Sequence, residues 1–392
     1  MLWEFSDPDL GYATSFPAVL RTGGMTKNGN WYVTFGTGSK QLPKSGQDLN
    51  RTTAGYVYVL DMKTGALVKK ITLDHNAIVG DVLTVDADMN YTTEKMYFGS
   101  AMLVSSGSSS VWNGKITSID IPDQDLTSAW TPAIHYLFSG KGPFTAAPDA
   151  VLDSNKTAWV FAGTGKYETD VDQLDSSQQI FVGFKDKDIT TTLTVSNLDN
   201  RTATETKGTV SGTTTACLFS QSSNSFTIQT LVTSITSTQT TAASTVGWYI
   251  NLLTSPTSER VISRPLSVGG LVDFLTFQPS ADVCSAGGDS FLYSLAFDTG
   301  VAPSVVSIRS PDVTSATSGN VTVKKSVKLG PGAPPKGEAI ILPPKRQDES
   351  EGSAKSKDTL DKKIQVSTGV IIETMNNPII SVVSKFLHWL RK

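Results

Sequence analysis

Residues 55–65 read GYVYVLDMKTG, a run alternating small or polar with apolar side chains that ends in Asp61-Met62-Lys63-Thr64-Gly65. Alternation with a period of two marks a strand, because successive side chains leave opposite faces of the backbone. In the Asp-x-x-Thr-Gly turn, Asp and Thr can bond nearby amides and Gly accepts a positive φ. A second apolar run at 66–71 makes the whole a predicted β-hairpin.

The scheme recurs on both sides. NWYVTF at 30–35 closes in Gly36-Thr37-Gly38, and TAWVFAG at 157–163 closes in Thr164-Gly165. Strands are predicted at 95–99, at 114–119 (GKITSI, followed by Asp120) and at 180–184. Another at 289–295 (DSFLYSL) runs to Asp298-Thr299-Gly300. Hairpins of this kind every ~40–60 residues predict a radial array of four-stranded blades, a β-propeller. The expected fold is therefore all-β, with about seven irregular blades in residues 1–344. Such an array leaves only short, protected edges.

Three stretches depart from the rhythm. Residues 190–245 are rich in Thr and Ser and are read as a β-rich insertion. Residues 345–363, KRQDESEGSAKSKDTLDKK, are charged with few apolar side chains and are read as a mobile loop. Residues 364–392 are read as closing strands and a C-terminal tail, in which IISVVSKFLHWLRK fits a short amphipathic helix or a closing strand.

Composition narrows the function. The 392 residues include 18% charged side chains and a net charge of −3, which gives no basic surface for nucleic acid. No run approaches the ~20 apolar residues of a membrane-spanning helix. The two cysteines, Cys217 and Cys284, allow one disulfide or two separate thiols. No CxxC pair and only three histidines argue against cysteine ligation of a metal. Residues 1–7 carry no basic region followed by an apolar run, so no signal peptide is read.

The stretch with chemistry is 85–99, VDADMNYTTEKMYFG. Asp86, Asp88, Asn90 and Glu94 stand at positions 1, 3, 5 and 9 of a tight loop, with the Thr92 carbonyl at position 7. Alternate oxygens converging in this way suit a hard cation such as Ca2+. A solvated turn is the competing reading, since Asp and Asn are ordinary turn residues.

Taken together, the landmarks resemble the C-terminal domain of the PilY/PilC family of type IV pilus biogenesis and tip proteins. They are LWEF-(x)3-DLGY at 2–12, WYVTFGTG at 31–38, GYVYVLD-(x)2-TG at 55–65 and AGTGKY at 162–167. Gly247-Trp248, ERVISRP at 259–265 and DVCSAGG at 282–288 complete the series. The resemblance implies a modified, quinoprotein-like β-propeller outside the cytoplasm, at the pilus tip or cell surface and associated with the outer membrane. It also implies export as part of a longer or split precursor. A calcium loop is implied at Asp86, Asp88, Asn90, Thr92 and Glu94, with occupancy controlling pilus extension and retraction. The family pattern has Gly where this chain has Tyr91, and Asp where it has Glu94. Implied partners are minor pilins of the tip complex and a host or abiotic surface, with roles in adhesion and twitching motility.

Two other functions compete. A quinoprotein-like dehydrogenase would need a cofactor pocket on the propeller axis. No GxSxG elbow, GxGxxG loop or His-rich metal set is present, so no enzymatic activity is expected. A stand-alone lectin-like adhesin would use the insertion at 190–245 as its contact surface.

Overall fold

The computed structural model describes residues 3–376, apart from 24–28, 43, 45, 107–108, 188–190, short gaps within 211–241, 269, 283–286, 303–319, 324, 335–339, 343–358 and 367–368. The C-terminal tail, Cys284 and most of the charged loop lie outside the described residues, as does Cys217. Among the described residues the chain is built from strands, with two 3-10 turns.

Four antiparallel sheets carry four strands each in chain order. Blade 1 holds β1 (Ala18–Thr22), β2 (Asn30–Gly36), β3 (Ala54–Asp61) and β4 (Leu67–Asn76). Blade 2 holds β5 (Ile78–Val85), β6 (Lys95–Ser106), β7 (Ser109–Asp120) and β8 (Ala133–Lys141). Blade 3 has β9 (Asp149–Leu152), β10 (Ala158–Gly163) and β11 (Ile180–Asp186), with the short β12 (Asp199–Asn200) added in parallel beyond its last strand. The connection from β11 carries β13 (Thr206–Val210), β14 (Thr213–Ala216), β15 (Gln221–Ser222), β16 (Ser225–Phe226), β17 (Gln229–Val232) and β18 (Ile235–Ser237). It returns as β19 (Gly247–Asn251), the fourth strand of blade 3. Blade 4 holds β20 (Leu266–Val268), β21 (Leu271–Pro279), β22 (Gly288–Ala296) and, after the detached β23 (Asn320–Val323), β24 (Ser326–Pro331). A three-stranded sheet of β25 (Ile340–Leu342), β26 (Thr359–Val366) and β27 (Gly369–Asn376) follows.

The described residues thus hold four blades of four strands and one sheet of three, where the chain length had suggested about seven. The difference lies in the insertion. Its strands pair as nested hairpins, β13 with β18, β14 with β17 and β15 with β16, and β13 also pairs with β23 from blade 4. Loops of two blades therefore share one sheet, and that length of chain forms no blade. The pair β26–β27 is the expected strand–turn–strand at 364–373, but β26 starts at Thr359, inside the stretch read as a charged loop.

Blades stack because their strands are apolar on both faces. In β6, Met96 and Phe98 pack towards Val57, Val59 and Ile71 of blade 1. The intervening Tyr97 packs towards Val160 and Val182 of blade 3. In β10, Val160 and Ala162 face blade 2, while Trp159 and Phe161 face Val272, Phe274 and Leu295 of blade 4. Phe181 and Phe274 stack across that last seam with 3.6 Å between ring centroids. Burying a large apolar side chain stabilises by roughly 1.5–3 kcal/mol, so each seam is a substantial source of stability.

A repeated backbone joint sets the spacing. Thr37 donates its N–H to the Tyr56 carbonyl, accepts the Tyr56 N–H on Oγ1 at 3.0 Å, and offers its carbonyl to the Val79 N–H at 2.9 Å. Thr164 repeats this with Ile180 on its own blade and with the Val261 N–H of the next, at 3.0 Å. Ser100 takes the place in blade 2, accepting the Lys115 N–H on Oγ and the Phe144 N–H on its carbonyl. The glycine before each hydroxyl lets the blades approach. A Cβ on Gly36 would lie 2.2 Å from Val79, and one on Gly163 2.2 Å from Val261.

The Asp-x-x-Thr-Gly turn has its own partner. Asp61 Oδ1 accepts the Lys63 and Thr64 amides and the Thr64 hydroxyl, and Gly65 takes φ +72°. The Trp3 indole lies on Gly65 and donates to the Met62 carbonyl at 3.0 Å. Asp298-Thr299-Gly300 repeats the arrangement, with the Trp248 indole on Gly300 and Nε1 donating to Phe297 at 2.8 Å. Neither tryptophan contact was read from the sequence.

Residues 3–12 form a strap on blade 1. Phe5 packs edge-on against Phe35 and Tyr58. Lys70 bridges Asp7 at 2.8 Å and Asp9 at 2.9 Å, and Arg51 donates to the Asp9 carbonyl. The Lys70 and Lys40 hydrogen bonds bring the Asp9 carboxyl down to about 2. Burial alone would raise Asp7, but bonds from Lys70, the Asp9 N–H and Tyr58 hold it below its ordinary 3.8.

Two outcomes are expected. Gly163→Ala should destabilise by more than about 1 kcal/mol in chemical denaturation, and adding Val261→Ala should recover part of the loss. Because the folded pKa values of Asp7 and Asp9 are depressed, the strap's contribution is complete above the ordinary value of 3.8. It should be lost as pH falls from there to about 2, the folded value of Asp9, read as earlier proteolysis at residues 3–12.

Candidate metal centre

The predicted acidic loop joins β5 to β6 in blade 2. Glu94 pairs back through its N–H to the Val85 carbonyl, so the loop starts and ends on one rung of the sheet. Within this closure the acidic side chains gather on one side, while Met89 and Tyr91 stay exposed. Carboxylate oxygens of Asp86, Asp88 and Glu94 lie within 4.8 Å of one another, the only such group of three or more metal-ligating side chains among the described residues.

Backbone amides shape the loop. Asp86 accepts the Asn90 N–H at 3.1 Å and the Tyr91 N–H at 2.9 Å, and Asp88 accepts the Asn90 N–H at 3.1 Å. Glu94 accepts the Ala87 N–H at 2.5 Å. Met89 and Tyr91 take φ of 62° and 71°. Tyr91 thus adopts the left-handed conformation that a glycine would take freely, at a cost of roughly 1–2 kcal/mol. Blade 1 supports it: Arg21 donates from Nη1 to the Tyr91 carbonyl at 2.5 Å, and its backbone carbonyl accepts the Thr93 N–H.

Three of the five predicted ligands converge. Asn90 instead donates from Nδ2 to Asp88 at 3.0 Å, and its Oδ1 accepts the Thr92 N–H at 2.7 Å. The Thr92 hydroxyl sits between Asn90 Oδ1 and Glu94 Oε1, 3.1 Å from the latter. Burial, with the neighbouring carboxylates, raises both Asp86 and Glu94 above their ordinary values. Crowded, partly desolvated carboxylates with an all-oxygen donor set fit a hard divalent cation.

Other polar clusters are structural in their geometry. Asp74, His75 and Ser100 form an acid–imidazole–hydroxyl chain, with 2.5 Å from Asp74 Oδ1 to His75 Nδ1 and 3.0 Å from His75 Nε2 to Ser100 Oγ. That order is also the order of a hydrolase triad. Ser100 is fully buried, however, and its hydroxyl occupies the joint position of Thr37 and Thr164. The ERVISRP residues likewise serve the scaffold. Glu259 accepts from Tyr293, Arg260 donates to the Lys166 and Asp172 carbonyls, and Arg264 pairs with the buried Asp149. Lys166 of AGTGKY lies between Asp48 and Asp172.

Sheets stacked face to face in chain order, with a hydroxyl joint between them, define an all-β domain of the propeller-like class. Among solved structures the chain is similar to the C-terminal domain of PilY1 from Pseudomonas aeruginosa, at a TM-score of 0.60 and 19% sequence identity. The match covers 96% of this chain and 75% of that one. The fold is therefore that of a PilY1 C-terminal-like domain, as the order of motifs led us to expect. No family model and no curated protein matches the sequence.

The raised Glu94 pKa opposes folding at pH above its ordinary 4.5, because burial makes ionising this carboxyl costlier in the folded loop than in the unfolded chain. In metal-free buffer, Glu94→Gln should raise the melting temperature at pH 7. The gain should shrink as pH falls towards the ordinary Glu value of 4.5, where the parent protonates.

Proposed function

We propose that this chain is a calcium-binding domain of a type IV pilus biogenesis or tip protein, acting without enzymatic activity. The observation that carries the reading is the convergence of Asp86, Asp88 and Glu94 in a domain with the PilY1 C-terminal fold. A bound cation would supply positive charge to three carboxylates that otherwise repel. Asn90 and Thr92 are the neighbours whose oxygens would complete the set, once Asn90 Oδ1 turns from the Thr92 amide. Arg21 and Thr93 tie the far side of the loop to blade 1, so the cation would act on the seam between the first two blades.

In this reading occupancy of the loop biases pilus extension against retraction, and with it twitching motility. The domain works outside the cytoplasm, against minor pilins of the tip complex. The sheet shared by β13, β18 and β23 is the surface we assign to contact with a host or abiotic surface, since it is built from loops set on rigid blades.

Calorimetric titration of Ca2+ into the metal-stripped chain should give heat that Asp86→Ala/Asp88→Ala abolishes; equal heats from both would end the calcium assignment. Affinity should weaken as pH falls through the raised Asp86 and Glu94 values, because the cation then competes with protons. Cells carrying Asp86→Ala should change in surface pili and twitching, and unchanged piliation would remove the proposed control.

A further inference from the structure

Lys166 and Asp172 meet out of water. Their side chains are 3% and 6% exposed, and Lys166 Nζ bonds Asp172 Oδ1. A buried amine against a buried carboxyl group sets a nucleophile beside an electrophile. Arg260 fixes their placement, because its Nη1 donates to both main-chain carbonyls, at 3.0 Å to Lys166 and 2.6 Å to Asp172. Groups held in contact in this way react as if at very high concentration.

The surroundings suit acyl transfer between them. Asp172 Oδ2 accepts the Glu168 N–H at 2.8 Å, the Thr169 N–H at 2.9 Å and the Thr169 hydroxyl at 3.1 Å. Three donors aimed at one carboxyl oxygen stabilise the negative charge that a tetrahedral adduct at Cγ would place there. Asp48 reaches in from the connection between β2 and β3 of blade 1, with Oδ1 at 2.8 Å from Lys166 Nζ. Its Oδ2 accepts the Trp112 indole N–H at 2.9 Å, and the Trp112 ring lies 4.8 Å from Nζ. Asp48 is 31% exposed, so it joins the buried pair to solvent.

We propose that Lys166 and Asp172 join in an intramolecular amide bond that the folded protein forms on itself. One proton passes from Nζ to Oδ1 along their hydrogen bond, exchanging an ion pair for an amine and a carboxylic acid. Exclusion of water lowers the cost of that exchange, because ions lose more than neutral groups on leaving water. Nζ then attacks Cγ, and the carbonyl electron pair moves onto Oδ2 beneath its three donors. Asp48 takes a proton from the nitrogen and delivers it to Oδ1, which leaves as water when the pair on Oδ2 returns. One ammonium and one carboxylate thus become one amide and one water, Asp48 ends as it began, and nothing is oxidised or reduced. The bond closes residues 166–172 into a ring whose two ends Arg260 already grips.

Mass spectrometry of the intact, folded chain tests the bond without any variant. The protein should weigh one water less than its sequence. Trypsin cleaves after free lysines, so digestion should leave residues 157–185 uncut at Lys166 and lighter by that water. Lys166→Arg, which keeps a positive charge between the carboxylates, should have the full mass of its sequence. In freshly synthesised protein, Asp48→Ala should slow the loss of water by at least about tenfold. An unsubstituted chain of full mass overturns the proposal. Loss of water with cleavage still occurring at Lys166, or persisting in Lys166→Arg, overturns it as well, since the bond then lies elsewhere. An unchanged rate in Asp48→Ala removes Asp48 from the step.

Discussion

Everything in this fold hangs on how closely one sheet can approach the next. The limit is set by a glycine followed by a hydroxyl residue, at Gly36-Thr37, Gly99-Ser100 and Gly163-Thr164. The hydroxyl satisfies an amide within its own blade, and the carbonyl of the same residue takes an amide from the next. Because both bonds hold a main-chain amide, the joint fixes distance and register together. Side chains such as Phe98, Phe161 and Phe274 then fill the space that the joint has defined. A bulkier residue at the glycine would push the seam apart and lose that packing along its whole length.

The acidic loop inherits its geometry from this framework. It leaves β5 and rejoins the sheet on the same rung, with blade 1 holding its outer side through Arg21. Placing three carboxylates together is costly for a free chain. Here the surrounding strands impose it, and the cost shows in the raised Asp86 and Glu94 and in the left-handed Tyr91. The strain is local, while the residues that enforce it belong to two blades.

Much of this was legible in the sequence, for definite reasons. The strands at 30–36, 54–61 and 158–163 announce themselves because alternation and turn chemistry agree, and the repeated FGTG and AGTG mark the joints. Spacing alone placed Asp86, Asp88 and Glu94 in one tight loop, and their carboxylates do lie together. Ser100 was harder to read, because a serine replaces the threonine of the repeat. Trp3 and Trp248 escaped because their partners, Gly65 and Gly300, are far away in sequence and an indole on a turn leaves no periodic trace. Among the described residues the four-stranded sheets are fewer than the rhythm of hairpins suggests, because β13 and β23 pair across two separate connections, and pairing between loops distant in sequence leaves no local signal. Asn90 and Thr92 show the same limit on a smaller scale, since spacing places an oxygen in a loop but does not say which way it turns.

The joint between blades has a consequence for how much the sequence can vary. At each of the three seams it asks for two residues, a glycine and a hydroxyl, and it leaves the chemistry of the surrounding positions open so long as they stay apolar. Most side chains can therefore differ while the architecture stays the same. A chain that no family model matches can in this way share the fold of a solved domain at 19% identity. What such folds hold in common is a spacing between main chains, which many different sets of amino acids can honour.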